Sequence, residues 1–590
     1  MNGAMNAAFN WTVLGLLLAP GLPLLLGILW GIPRMRPRIG PLVPWAALPA
    51  LALALLGTPG TSVELPWLLL GGVLGLSQQG QVFLFFTALI WFAAALHSRS
   101  HLREGDHCER FCVFWLLTLA GNIALLLAWD VALFYTSFAL MTFAAYGLIV
   151  HSASPVAQRA GRVYLVLAVL GEALILIGLF LAARATETPL LPLLADLPAA
   201  IMQAPERDWI IASLWLGFGV KAGLPLLHFS LPLAYAAAPV PVAAVLAGAM
   251  IKAGLFGWLV TLPLGHAGLT QWGEILVITG LVAAYMGALI GIHQTQPRIV
   301  LAYSSISQMG LFSIALGAWF LVPEWGALLA LAITIYALHH ALAKAALFLG
   351  TEVVRHRTRR PVLWLWLGLG LPALGLAGLL PSGLLAKVNL KLPLTLPTET
   401  SLPDWWLHLP LLLSIAAIGT TLLMARHLWL LRLEAGRDDA PPAVWRGWAL
   451  ITAAALFGVF LLPWWGVGTD WPYAWTHLAD TAWPVGVGLL LALVAVGLGR
   501  WLRPWPIPPA DVMVLLTPIP GLALRIGAAF GVTGPAIQRL FKRLQTWLQA
   551  RYRTLDHRFG RFSEHLWRRD AAMLFTVLLA VLAFAGLYWD

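Results

Sequence analysis

Residues 209–264 read WIIASLWLGFGVKAGLPLLHFSLPLAYAAAPVPVAAVLAGAMIKAGLFGWLVTLPL. The stretch is apolar enough for hydrocarbon, yet Pro225, Pro232, Pro239 and Pro241 interrupt it, and Lys221 and Lys252 lie inside it. Proline removes a backbone donor and breaks a helix, and within a bilayer the freed groups are tolerated only where protein or water satisfies them. A second broken stretch, 372–393 around Pro381 and Gly383, carries Lys387. Two interrupted segments with a lysine each, at corresponding places in two halves, are the sequence pointer to a transporter built from repeats. Proline kinks in a large helical bundle without symmetry are the alternative.

Working outward, the whole chain has the same character. Of 590 residues, 60% are hydrophobic and 10% charged, whereas a soluble chain carries about a quarter charged residues. Apolar runs of about 20 residues, enough to cross ~30 Å of hydrocarbon, recur from Trp11 to Tyr588 and give roughly sixteen spans. The first run, near 12–32, lacks a basic leader and a small-residue cleavage site and is read as a helix, not a signal peptide. The expected fold is an all-α integral membrane protein with two inverted five-helix repeats and broken helices. The expected location is a bacterial inner membrane.

The net charge of +11 does not report nucleic-acid binding, because the basic residues sit in short loops instead of one patch. Arginines cluster at Arg34, Arg36 and Arg38; Arg99, Arg103 and Arg110; Arg159 and Arg162; Arg355, Arg357, Arg359 and Arg360; and Arg426, Arg432, Arg437 and Arg446. All five clusters fall in odd-numbered connections, and 58–66, 264–272 and 464–481 carry no arginine. The positive-inside rule then puts the odd connections in the cytoplasm and both termini outside.

The layout divides as N-terminal helices at 1–108, a first repeat at 109–265, a second at 266–435 and further spans at 436–505. Residues 506–570 contain a basic amphipathic segment, with eight arginines between Arg539 and Arg569 interleaved with aromatic and leucine side chains, and 571–590 form a last span. The segment reads as an interfacial helix that binds lipid headgroups or braces a neighbouring subunit.

Against 30 arginines stand only six lysines: Lys221, Lys252, Lys344, Lys387, Lys391 and Lys542. Arginine keeps its charge in any protein environment, whereas an amine withdrawn from water can release its proton. Lysines kept in apolar spans, where the loops use arginine, therefore point to proton exchange. Lys344 follows His340 by four residues in ALHHALAK, which puts imidazole and amine on one helical face; His228, His339 and His340 are interspersed with the lysines. An intramembrane charge costs about 2.5–3.5 kcal/mol, so four of them call for water, partners or a role. Snorkelling or structural pairing is the bland account of any single one.

Glu172, in AVLGEA, is the clear mid-span carboxylate. It can pair with a lysine or carry a proton. Cys108 and Cys112 read as reduced structural thiols with no metal site.

At these residues the chain resembles the antiporter-like proton-channel subunits shared by respiratory complex I, membrane-bound hydrogenase and formate hydrogenlyase complexes, and multi-subunit cation/proton antiporters. The resemblance covers about 110–400, and rests on the stretch from Lys221 through Pro225, His228, Pro232, Pro239 and Pro241 to Lys252, and on LAYSSISQMG at 301–310. It implies a hydrated path in the membrane plane, with Lys221 on a broken seventh helix, Lys252 on the eighth, His340 with Lys344 on the eleventh and Lys387 on a broken twelfth. The family's fifth helix usually carries a glutamate that pairs with the seventh-helix lysine. Here the run is SFALM, with Ala139 in that place, so Glu172 is the candidate replacement; Leu233 likewise stands where an acid is usual.

The reading that follows is a proton-translocating subunit working through Lys221, Lys252, His340, Lys344, Lys387, Glu172, His228 and His339. Quinone, flavin, haem and iron–sulfur signatures are absent from the sequence, so no cofactor or active site of its own is expected. The driving reaction then belongs to other membrane subunits and a peripheral catalytic subunit. Rival readings are a sodium or potassium/proton antiporter subunit, the membrane half of an inorganic-carbon uptake complex powered by cation flux, and a structural anchor that no longer conducts.

Overall fold

The structure is a computed structural model that describes residues 11–68, 71–98, 108–189, 192–357, 362–400, 402–436, 438–439, 443–499 and 501. The basic segment and last span expected at 506–590 lie outside the described residues, as does Lys542. Within them the chain is a helical bundle: α1 (Trp11–Trp30), α2 (Leu48–Leu56), α3 (Gln78–His97), α4 (Cys108–Leu127), α5 (Val131–Ile149) and α6 (Pro155–Arg184) open it. The first broken segment is α7 (Arg207–Ala222) and α8 (Ser230–Ala237), followed by α9 (Val240–Thr261), whose middle is a π turn at Leu246–Met250. Next come α10 (Thr270–Ile292), α11 (Pro297–Leu321), α12 (Gly326–Arg355), the second broken segment α13 (Val362–Ala377) and α14 (Leu380–Lys391), then α15 (Leu409–Glu434). Two further helices, α16 (Ala443–Phe457) and α17 (Leu478–Gly497), close the described chain.

Local chemistry starts and stops these helices. Ser77, Asp130 and Ser154 cap α3, α5 and α6 by accepting from the backbone N–H groups of Gly80, Leu133 and Ala157, satisfying donors that a helix start leaves open. The other oxygen of Asp130 accepts from Val73 N at 2.7 Å, which clamps a hairpin of β1 (Ser62–Leu65) and β2 (Gly72–Gly75) against the start of α5. Strand β1 pairs with β2 antiparallel, Ser62 opposite Gly75 and Leu65 opposite Gly72.

Small residues let the helices approach closely, as they must where lipid supplies no hydrophobic drive between helices. A Cβ added at Gly280, Gly287 or Gly310 on the α10–α11 seam would run into the partner backbone, and so would one at Gly121 between α4 and α5. The packing order recurs: α4 on α5, α5 on α6, and α6 and α9 on the first broken segment; then α10 on α11, α11 on α12, and α12 and α15 on the second.

Thirteen helices among the described residues are long and apolar enough to cross a membrane, or fourteen if the bent pair Pro33–Ile39 and Val43–Leu56 makes one span. The expectation of roughly sixteen is therefore not reproduced. Helix α7 has only 16 residues because its span is broken, and the final expected span lies outside the described residues.

Candidate functional site

Both breaks use the same backbone device. Helix α7 ends on Gly223 at φ 83° with Leu226 at φ 68°; α13 ends before Gly378 at φ 122° with Leu380 at φ 68°. A positive φ is easy for glycine and costly for leucine, so each break concentrates strain where a lysine-bearing helix is interrupted. The second break falls just ahead of the expected Pro381–Gly383, because Pro381 sits in the first turn of α14, where a missing N–H costs nothing.

Lys221, on the last turn of α7, donates to Thr142 Oγ1 at 3.0 Å and to Tyr164 Oη at 2.9 Å. Tyr164 in turn donates to the Thr142 carbonyl at 2.9 Å. These groups line a cavity of about 40 Å³, which leaves room for a few waters at ~10–15 Å³ each. Glu172 lines the same cavity, 4% exposed, and neither carboxylate oxygen meets a donor at hydrogen-bond geometry. Thr142, the Lys221 ammonium and the side chains of Tyr135 and Tyr164 bear on it. The half-buried Ala139 is three residues before Thr142 on α5, so that helix gives Lys221 a hydroxyl in place of a carboxylate.

Leu246, Met250 and Ile251 bring the π turn of α9 to the cavity wall. There Tyr235 donates to the Leu246 carbonyl at 3.2 Å, while Lys252, 1% exposed, donates to the Ala247 carbonyl at 3.0 Å. A π turn shifts the backbone hydrogen-bond register, and such turns occur often at functional sites. Here it stands between the Lys221 cavity and the Lys252 amine.

Helix α12 carries the centre of the site. Lys344 donates to the Leu301 carbonyl at 3.0 Å, and His339 Nδ1 lies 3.1 Å from Ser382 Oγ at the start of α14. His340 is fully buried, and neither ring nitrogen has a protein partner. The charges bearing on its ring come from Lys252, Lys344, His339 and Lys387. Lys387 Nζ is buried without a hydrogen-bond partner, 5.3 Å from the centre of the Tyr336 ring. Tyr336 donates to Gln308 Oε1, and Gln308 Nε2 donates to Thr420 Oγ1 at 2.9 Å, which ties α12, α11 and α15 together. Further along α14, Lys391 donates to Ser414 Oγ at 2.7 Å and faces the Asp480 carboxylate on α17.

The two distinctive sequence stretches meet in space. His228, buried in the first break, packs its ring 6.1 Å from that of Tyr303, and a Cβ at Gly223 would touch Ile306. Unpartnered buried polar atoms gather in this region: Glu172 Oε1 and Oε2, His228 Nδ1, His339 Nε2, both nitrogens of His340 and Lys387 Nζ. Each would cost about 1–3 kcal/mol if left unsatisfied, so these atoms call for partners such as water.

The fold and these side chains define a polytopic membrane protein with cationic and imidazole groups held inside its helical core. Residues 128–364 match the family described as NADH:quinone oxidoreductase/Mrp antiporter, TM, and that stretch is similar to the membrane subunits of such complexes. Hydrogenase-4 component B of Escherichia coli K12 is 29% identical over 283 residues, covering 46% of this chain and 41% of that protein. F(420)H(2) dehydrogenase subunit N of Methanosarcina mazei is 27% identical over 345 residues, 57% of this chain and 68% of that one. The Mrp complex structure from Dietzia sp. DQ12-45-1b shares the fold at a TM-score of 0.69 with 22% identity, covering 98% of this chain and 62% of that one. The chain thus spans well under two thirds of the first of these relatives.

Sequence reasoning missed Thr142, Tyr164 and Tyr336, carried Gln308 only inside the 301–310 run, and counted Lys391 among the lysines without giving it a place in the path. Hydroxyls and amides on apolar helices carry little signal by themselves; only their meeting across helices marks them.

Proposed function

We propose that the chain is a proton-conducting subunit of a multi-subunit membrane complex, with protons passing among Lys221, Lys252, His340 with Lys344, and Lys387. His339 and His228 line the path, and Glu172 sets the charge state of Lys221 from across the cavity. The observation that carries this reading is His340: an imidazole with two free nitrogens, fully buried among Lys252, Lys344 and Lys387. An imidazole can accept at one nitrogen and donate from the other, so it joins amines that do not touch. The energy for transport comes from partner subunits, including a peripheral catalytic one, in a bacterial inner membrane.

Proton flux in proteoliposomes, or in the intact complex, tests this. Lys221→Ala and Lys387→Ala each abolish flux if the reading holds, and full flux in both overturns it. A second reading, sodium or potassium exchange for protons, draws on the Glu172 oxygens, which are unpartnered beside the Thr142, Ser230 and Tyr235 hydroxyls. Flux that requires one of those cations favours it.

A further inference from the structure

We propose that His427 is a proton relay between Lys344 and the arginine-rich face of the protein. The residue lies beyond the 128–364 stretch that matches the family, and the inference rests on the proton conduction proposed above.

His427 is fully buried on α15, with Nδ1 3.1 Å from the Pro297 carbonyl. A carbonyl only accepts, so Nδ1 bears the hydrogen and Nε2 of the neutral ring is a bare lone pair. That Nε2 is buried and meets no protein donor. Lys344 donates to the Leu301 carbonyl, four residues after Pro297 on α11, so both side chains use the same helix about 6 Å apart along its axis, at ~1.5 Å per residue. Lys344 is the cation that bears on the His427 ring. The neighbouring Arg426 is spent elsewhere, donating to the Gln294 carbonyl at 3.0 and 3.2 Å and to the Trp501 carbonyl at 2.6 Å. Pro297 begins α11 at the end where α12 finishes on Arg355 and α15 on Glu434, the two joined by an ion pair of 2.9 Å. His427 therefore stands between Lys344 and that charged end.

The transfer balances simply. A proton from the arginine-rich side forms an N–H bond at the Nε2 lone pair and makes an imidazolium, whose Nδ1–H stays on Pro297. The Nε2–H bond then breaks, across a water, as a new N–H bond forms on neutral Lys344. The ring returns to its starting tautomer without a flip, and the same steps run in reverse.

The test is proton flux of His427→Gln and Lys344→Ala in the reconstituted full chain with its complex, beside the thermal unfolding temperature of each. Glutamine retains an N–H donor for Pro297 but cannot relay. A relay predicts at least a roughly tenfold loss of flux in H427Q at unchanged unfolding temperature. Parent-level flux in H427Q, with flux lost in K344A, overturns the relay and leaves His427 a pin for Pro297. Parent-level flux in both overturns the proposed conduction itself. Where H427Q lowers the unfolding temperature, His427→Ala decides: recovery of flux with added imidazole but not with pyrrole supports the relay, and no recovery refutes it.

Discussion

Lys221 keeps its ammonium between two hydroxyls, from Thr142 and Tyr164, while Glu172 stands across a cavity. Neither carboxylate oxygen meets a donor at hydrogen-bond geometry, so in the conduction proposed above Glu172 acts through its charge. Charge acting across a few ångströms at an effective dielectric of ~20 is worth a few kcal/mol, more than the roughly 1.5–3 kcal/mol of one hydrogen bond to a charged group. Glu172→Gln should therefore lower proton flux roughly tenfold or more, and Tyr164→Phe should lower it less, at ~1.4 kcal/mol per tenfold. Equal flux in both variants and parent would remove Glu172 from the account. Lysines and histidines were legible because their residue types are rare in apolar spans. Tyr164 and Thr142 were not, because α6 and α5 bring them to Lys221 from distant parts of the sequence, 57 and 79 residues away.

At the scale of elements, the broken helices depend on two glycines of unequal strictness. Gly223 at φ 83° lies near the left-handed helical region that other residues enter at some cost, whereas Gly378 at φ 122° lies where essentially glycine alone goes. Substitution by alanine should lower the thermal unfolding temperature in both cases, by the equivalent of about 1–3 kcal/mol, with Gly378→Ala the more damaging. The reverse order would mean that the Leu231 and Ile306 contacts at Gly223, not backbone conformation, set the cost. Proline content announced that these helices break, since Pro225 and Pro381 flag the regions. It did not give the residue at which each break falls, because that depends on φ at Gly223 and Gly378, which proline spacing does not encode.

For the whole molecule, the distribution of arginine predicts which way the bundle faces. Helix α16 joins Ala435, exposed at the arginine-rich side, to Gly468, exposed at the other. In sealed vesicles of one orientation, a membrane-impermeant thiol reagent should label Ala435→Cys or Gly468→Cys but never both, with the parent chain as control for Cys108 and Cys112. Labelling of both from one side would contradict a membrane crossing between them. The sequence flags two lysine-bearing breaks, and the structure has two stretches whose helices pack in the same order around them. The seams themselves were hidden, because the glycines at 280, 287 and 310 acquire meaning only from the backbone opposite.

The shortage of lysine has a practical side for anyone mapping how this chain sits among its neighbours. Lys252, Lys344 and Lys387 are buried, and Lys221 and Lys391 are half-buried with their amines engaged. Amine-directed cross-linkers will find almost nothing to grip on the folded core, and a protease that cuts after lysine will leave the first 221 residues as one fragment. Mass-spectrometric maps built on that chemistry will pass over the described helices of this chain, since Lys542 is the one lysine outside them. Reagents aimed at carboxylates such as Glu64, Glu206 and Asp404 would make it visible.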